Sequence, residues 1–250
     1  MSGHSKWSSI KHKKGAADAK RGKLFTKLAR AITIAARDGG GSIEGNPPLA
    51  LAVQKARDAS MPKDNIQRAI DRGTGAGADA AAIESVTYEG YGPGGAAILV
   101  EALTDNRNRT GSEVRHLFDK HGGSLGEPNS VAWQFEKRGV VLVDGSRYSD
   151  DDLIGAIDAG ADDVAQDGDL LKVLAPASEL TAVRAALEEG GVEIESSELS
   201  MEPTTTVEVG EGEATTLLRL MDALEDHDDV DSVHANFDVP EEILEKAAAA

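Results

Sequence analysis

The charge of this chain reverses near residue 72. Residues 1–72 hold 15 Lys and Arg against 6 Asp and Glu, a net charge of +9. Residues 73–250 hold 11 basic against 38 acidic residues, a net charge of −27. A basic segment on an acidic body indicates that the basic part has an anionic partner, which the acidic body would otherwise repel. The reversal therefore predicts a separate basic domain, with nucleic acid as the first candidate partner.

Several classes of protein are disfavoured by composition. The chain has no cysteine, so it has no disulfides and no thiolate or cysteine–metal chemistry. No apolar run approaches the ~20 residues that cross a membrane. The basic start MSGHSKWSSIKHKKG has no apolar segment behind it and does not read as a secretory signal. We therefore expect a cytoplasmic protein without membrane contact.

A long helix with a basic face is predicted over Ala19–Asp38, ended by Gly39-Gly40-Gly41. At 100° per residue its apolar residues share one arc, and its Lys and Arg side chains share a neighbouring arc. The preceding tail adds more Lys and His, and Asp18 is the single acid in residues 1–37. The predicted nucleic-acid contacts are His4, Lys6, Trp7, Lys11, His12, Lys13, Lys14, Lys20, Arg21, Lys23, Lys27 and Arg30.

Two other interpretations of these residues stay open. A row of surface lysines is often only a solvated helix face. Trp7 could stack on a base, or it could anchor the tail to the helices. The scarcity of acids favours phosphate contact, because each Lys or Arg displaces condensed counterions from the polymer.

Two shorter helices complete a small bundle. Asn46-Pro47-Pro48 is a start signal for a helix over Leu49–Ala59. Met61-Pro62 breaks that helix and begins a third over Lys63–Arg72. A Gly/Ala stretch then reads as a linker, so residues 1–78 are predicted to form the basic helical domain.

The acidic body has the alternation of small α/β sandwiches. Strands are predicted at Ser85–Tyr91, Ala96–Leu103 and Val131–Glu136, with a helix over Ser112–Lys120. Residues 138–203 contain a complete second set of strands and helices, whereas the helix and strand at 214–238 have no partners of their own. We predict a discontinuous domain of residues 83–136 and 205–240, an inserted domain of residues 138–203, and a terminal helix or tail at 241–250.

No catalytic, cofactor or metal motif is convincing. Gly90–Gly95 fits the dinucleotide pattern G-x-G-x-x-G, but a predicted strand follows it where a helix is required. His227 lies in an acidic run, Asp226 to Asp229, that we interpret as a surface turn. We therefore predict no enzyme activity, no cofactor and no metal.

A second basic cluster, Thr104–Thr110, lies between a strand and a helix of the acidic body. It contains Arg107, Asn108 and Arg109, which can donate to phosphates or bases. The same side chains could instead cap the helix and dock one domain on another. We predict a second nucleic-acid contact here and leave the docking alternative open.

Several ordered motifs resemble the YebC-type family. They are Gly3-His-Ser-Lys-Trp7, Ile10–Lys14, Asp18–Gly22, Met61–Ile66, Tyr88–Gly94, Thr104–Thr110 and Ala235-Asn-Phe237. Members are usually named probable transcriptional regulatory proteins, and mitochondrial relatives are translational activators of cytochrome c oxidase. The resemblance implies an α+β multidomain fold, namely an N-terminal three-helix bundle plus two ferredoxin-like α/β sandwich domains, one inserted in the other. It also implies a non-enzymatic, DNA-binding regulator of gene expression.

Two alternative functions remain. The basic helix carries Lys more than Arg, Asn or Gln, which favours backbone contact over base reading. This suits contact with ribosomal RNA, and the resemblance implies as an alternative a ribosome-associated translation factor that assists proline-rich stretches. The second alternative is an acidic protein-interaction module whose N-terminus docks on its own body. No pattern specifies the target or the oligomeric state.

Overall fold

A computed structural model describes residues 18–76, 83–240 and 242–244. Two compact units make up the molecule. One comprises Ala16–Val131 with Thr216–Val233, and the other includes Ala132–Thr215 and the chain from His234. The α+β multidomain class expected from the sequence is confirmed, whereas the three predicted domain boundaries remain a prediction.

The bundle consists of α1 (Asp18–Gly39), α2 (Pro47–Asp58) and α3 (Lys63–Asp71). Helix α1 stops where Gly40 adopts a φ of 85°, a left-handed conformation that glycine enters without strain. The side chain of Asn46 accepts a hydrogen bond from the Leu49 amide and caps α2. The three predicted helices are confirmed to within a few residues.

One apolar cluster holds the bundle together. Each helix contributes residues at helical spacing, because only one face of each can be buried. The buried members are Leu28, Ile32, Ala36, Leu49, Val53, Ala56, Met61, Ile66, Ala69 and Ile70. Residues 72–76 then form a π-helical turn that packs back on α1.

The first sheet begins with a hairpin of β1 (Glu84–Tyr91) and β2 (Ala97–Thr104), as predicted. The glycine-rich segment between them forms a 3₁₀ turn, Pro93–Gly95, so no helix N-terminus exists there for a dinucleotide. Helix α4 (Arg107–Lys120) and the short β3 (Ser124–Leu125) follow. The segment Ala132–Gln134 is a 3₁₀ turn.

The prediction of a strand over residues 131–136 is therefore wrong for residues 131–134, because β4 begins only at Phe135. The buried carboxylate of Glu89 accepts hydrogen bonds from the backbone amides of Asn129 at 2.6 Å and Val131 at 2.8 Å. The Val131 amide thus bonds a side chain instead of a neighbouring strand.

The second sheet consists of β4 (Phe135–Asp144), β5 (Asp163–Asp167), β6 (Leu170–Pro176) and β7 (Ile194–Pro203). Its order is β5-β6-β4-β7, and all three pairings are antiparallel. A 3₁₀ turn (Asp150–Leu153) leads into α5 (Ile154–Asp158), and α6 (Leu180–Glu189) precedes β7. Helix α6 packs against the sheet and buries Val183 and Leu187, and α5 packs against α6.

The chain then returns to the first sheet. After β8 (Val207–Glu208) come α7 (Glu211–Glu225), β9 (Val230–Ala235) and β10 (Phe237–Asp238). Strand β9 lies next to β2 and completes the order β3-β1-β2-β9. The short β10 pairs with β8 in parallel. This return brings the end of α7 close to residues far away in sequence.

Candidate nucleic-acid interface

The basic arc of α1 is the part of the predicted interface that the structure describes best. Arg21 and Lys23 are exposed, whereas Lys27 and Arg30 are half-buried. Lys20 lies in the first turn of α1, and its side chain is outside the described residues. The predicted tail contacts also lie outside the described residues, namely His4, Lys6, Trp7, Lys11, His12, Lys13 and Lys14.

Three cations of this arc bond to residues 225–229, which comprise the last residue of α7 and the four residues after it and are here called the acidic turn. Lys27 Nζ donates to the Glu225 carbonyl at 2.5 Å, and Lys23 Nζ donates to the Asp226 carbonyl at 3.2 Å. Arg30 Nη1 donates to the Asp228 carbonyl at 2.8 Å. Helix α7 has no basic residue in its own last turn. The three side chains of α1 therefore supply the cations that a helix C-terminus favours.

Burial affects the charged group of Lys27. Desolvation lowers the pKa of Lys27 below its ordinary value, against the charges of Asp231 and Glu225, which raise it. By contrast, the Lys23 side chain is 54% exposed and lies 3.7 Å from an Asp228 carboxylate that is 71% exposed. The contacts of α1 with the acidic turn thus become more solvated toward the N-terminus of the helix.

Asp229 is the centre of the contact, with its side chain only 5% exposed. Its carboxylate accepts hydrogen bonds from Arg30 Nη1 at 2.8 Å, Arg109 Nη2 at 2.7 Å and Thr110 Oγ1 at 2.7 Å. The hydroxyl of Thr104 lies 3.3 Å from the same carboxylate. Burial raises the pKa of Asp229, but the bonds from Arg109, Thr110 and Arg30 outweigh it and lower the pKa to about 2. Asp229 is therefore a carboxylate at any ordinary pH.

The second predicted contact, Arg107–Arg109, lies in the first turn of α4. We expected this helix to begin at Ser112, but the side chain of Asn106 accepts from the Arg109 amide at 3.1 Å and starts it at Arg107. Arg109 also pairs with Asp105 at 2.8 Å, and both carboxylates raise its pKa above the ordinary value. Arg107 and Asn108 are exposed.

Arg30 and Arg109 therefore meet on one carboxylate, although the sequence suggested two separate contact points. The sequence interpretation missed Asp229 as their common partner. A usable signal exists: α7 ends without a basic residue and runs into four consecutive polar residues before the strand β9. Such a helix end needs cations from elsewhere in the chain.

A shallow groove of about 360 Å³ lies beside the acidic turn, lined by Ser112, Glu113, His116, Leu117 and His227. The Asp229 amide donates to His227 Nδ1 at 3.1 Å, so Nε2 carries the proton and donates to Glu113 at 2.9 Å. Ligand atoms of Glu113, His227 and Asp229 lie within 4.8 Å of one another. Two arginines already bond Asp229, and their charge opposes a cation at this position.

No helix in the described part of the chain combines the length and the hydrophobicity that membrane crossing requires.

Comparison with known proteins covers almost the whole chain. Residues 5–76 match the TACO1/YebC protein N-terminal domain, and residues 83–237 match the TACO1/YebC second and third domain. A "Probable transcriptional regulatory protein" of Rubrobacter xylanophilus is 60% identical over 249 residues, which are 99% of this chain and 100% of that protein. One of the same name from Syntrophobacter fumaroxidans is 53% identical over 250 residues, 99% and 100% of the two chains.

A solved structure is also similar. The crystal structure of a conserved hypothetical protein from Aquifex aeolicus has a TM-score of 0.84 and 46% sequence identity. The similarity covers 91% of this chain and 94% of that one. The likeness therefore extends over the bundle and both sheets.

Proposed function

The chain belongs to the TACO1/YebC family, and on that premise we propose that it is a non-enzymatic regulator of gene expression that binds nucleic acid through its basic N-terminal part. Close relatives are named probable transcriptional regulatory proteins, which makes a DNA-binding regulator the first form of the proposal. The protein would act in the cytoplasm and would need no cofactor.

The charge reversal carries this proposal. A net charge of +9 lies in residues 1–72 and −27 in the rest. A phosphate backbone is attracted to the first part and repelled by the second, so it has one favourable end to approach. The body would thus restrict contact to the basic end.

The proposed contacts differ in how available they are. Lys27 and Arg30 are half-buried as well as bonded to the acidic turn, so we assign them a smaller share than the exposed Lys23. The larger share falls to Arg21, Lys23 and Lys20 at the start of α1 and to the tail residues His4 to Lys14. Arg107 and Asn108 are exposed and remain candidates for a second contact, whereas Arg109 is engaged by Asp229.

The packing of α1 favours a second candidate function, a translation factor that binds ribosomal RNA. A helix that reads DNA places one free face in the major groove. One side of α1 is buried in the bundle through Leu28 and Ile32, and another side bonds the acidic turn through Arg30. Contact with a phosphate backbone needs no such groove insertion and suits structured RNA.

Fluorescence anisotropy with labelled duplex DNA and a labelled ribosomal RNA hairpin tests the proposal. The full chain is titrated from about 50 mM salt upward, the range in which phosphate contacts weaken steeply. The variant Lys11→Ala/Lys13→Ala/Lys14→Ala is compared with a control that also removes three positive charges, Arg115→Ala/Lys120→Ala/Lys137→Ala. These control residues are exposed and lie outside residues 1–72.

We expect the tail variant to lose affinity and about two to three units of the log–log salt slope, one for each lost phosphate contact. The control variant should keep both. Absence of binding to either polymer at low salt, or equal loss in both variants, would contradict the proposal. Preference for one DNA sequence supports the DNA form, and co-sedimentation with ribosomes that the tail variant loses supports the RNA form.

A further inference from the structure

The acidic turn, residues 225–229, contacts the same arc of α1 that the proposed function assigns to nucleic acid. Lys23, Lys27 and Arg30 follow one another at spacings of four and three residues, so their side chains lie along one side of the helix. Each donates to the acidic turn. A phosphate backbone and the turn therefore compete for the same donors.

The contacts fall into an inner and an outer group. In the inner group Arg30 bonds Asp229, which is 5% exposed and also bonds Arg109. Removing a partner there leaves a buried charge uncompensated, which is costly. In the outer group Lys23 lies 3.7 Å from Asp228, and both side chains are more than half exposed. Exposed pairs of this kind are weak, screened by salt and readily exchanged.

We propose that the outer part of the acidic turn is an exchangeable electrostatic cover over Lys23, and that a phosphate backbone displaces it while the inner bonds of Asp229 persist. This inference rests on the proposed function and adds the regulation of its site. In the free protein, Asp226 and Asp228 lower the affinity of the start of α1 for any polyanion. A ligand that also engages the tail compensates for this competition, so the cover disfavours weak, non-specific polyanions.

Removal of the outer charges tests the proposal. The variant Asp226→Asn/Asp228→Asn is compared with Asp150→Asn/Asp151→Asn, which removes the same charge from exposed residues of the other unit. The probe is a short RNA duplex, with DNA of the same sequence in parallel, measured on the full chain at about 50 mM salt. We expect the first variant to bind about two- to five-fold more tightly, the range that an exposed ion pair is worth, and the control to change by less than half of that.

Lys23→Gln, made in wild type and in Asp226→Asn/Asp228→Asn, separates local competition from overall charge. It should weaken binding more in the second background, because the Asp228 carboxylate no longer competes there for the Lys23 charge. Additive effects, or equal gains from both acid-to-amide pairs, would refute the cover while leaving the proposed function intact. Failure of wild type to bind either duplex refutes the proposed function as well.

Hydrogen exchange tests the persistence of the inner bonds. The Leu103 amide donates to the Asp229 carbonyl at 2.8 Å and should keep its protection in the complex. Loss of that protection on binding would show that the backbone at Asp229 separates from β2, contrary to a proposal in which this part of the turn stays in place.

Discussion

Asp229→Asn removes the charge at the centre of the contact between α1 and the acidic turn while nearly preserving the size of the side chain. The carboxylate accepts bonds from Arg30, Arg109 and Thr110. Asparagine offers one acceptor oxygen, and its amide N–H₂ group would face an arginine or threonine donor in place of the second carboxylate oxygen. The substitution therefore leaves at least one buried polar group without an acceptor.

The magnitude follows from the pKa of Asp229. Its fall from an ordinary 3.8 to about 2 corresponds to about 2 kcal/mol of interaction favouring the charged form, at 1.36 kcal/mol per unit. The partners are partly solvated, since the side chains of Arg30 and Arg109 are 29% and 43% exposed. They can turn toward water, so the loss stays below the roughly 3–5 kcal/mol of breaking a fully buried pair. We expect a loss of about 2–3 kcal/mol.

Urea unfolding of the full chain at neutral pH, followed by circular dichroism, measures this loss. Because a molecule with two compact units need not unfold in one step, exchange of the Leu103 amide reports the affected unit separately. The matched control is Asp228→Asn, whose exposed pair with Lys23 should contribute less than about 0.5 kcal/mol. If Asp229→Asn is no more destabilising than Asp228→Asn, the reasoning about burial and charge at Asp229 is refuted.

Three further outcomes follow from the described contacts. The contribution of Asp229 to the free energy of unfolding should be complete above about pH 5 and be lost as the pH falls toward 2, because the folded pKa of Asp229 lies below the ordinary 3.8. Stability measured against pH for wild type and Asp229→Asn tests this, and parallel curves would contradict it. Gly73→Ala should lower the free energy of unfolding by at least about 2 kcal/mol, because its Cβ would lie 2.3 Å from the Thr33 carbonyl oxygen. Gly22→Ala meets open space within α1 and should raise the free energy of unfolding by about 0.5–1 kcal/mol. Thermal melts of both variants test these opposite effects. Glu89→Gln should lower the free energy of unfolding by about 1–3 kcal/mol and raise proteolysis of the segment before β4, since only one oxygen remains for the Asn129 amide and the buried Val131 amide; unchanged cleavage would contradict this.

Local signals predicted most of the elements. Asn46 capping α2 and the glycines after α1 act within a few residues of the chain, so their effect is visible in sequence. The start of α4 was misplaced for a local reason as well. Asn106 was counted as part of a loop, although it has the side chain of a helix cap.

The segment before β4 shows why other elements could not be predicted from the sequence. Val131 and its neighbours resemble a strand in composition. Glu89, which lies 40 residues before Asn129 and 42 before Val131, binds the amides of both, and that pairing leaves no trace in the local pattern. Burial of the Glu89 carboxylate decides the backbone path there.

The amino-acid sequence by itself determined where the charge lies: a basic end, an acidic body, and two basic clusters around Arg30 and Arg109. Composition and helical periodicity specify these, because they depend on residue identity and on the fixed geometry of one helix. Only the tertiary structure decided what the clusters face. Asp229 lies 199 residues from Arg30 and 120 residues from Arg109. Which charges become neighbours across such distances depends on which surfaces the packed elements remove from water, and that is a property of the fold.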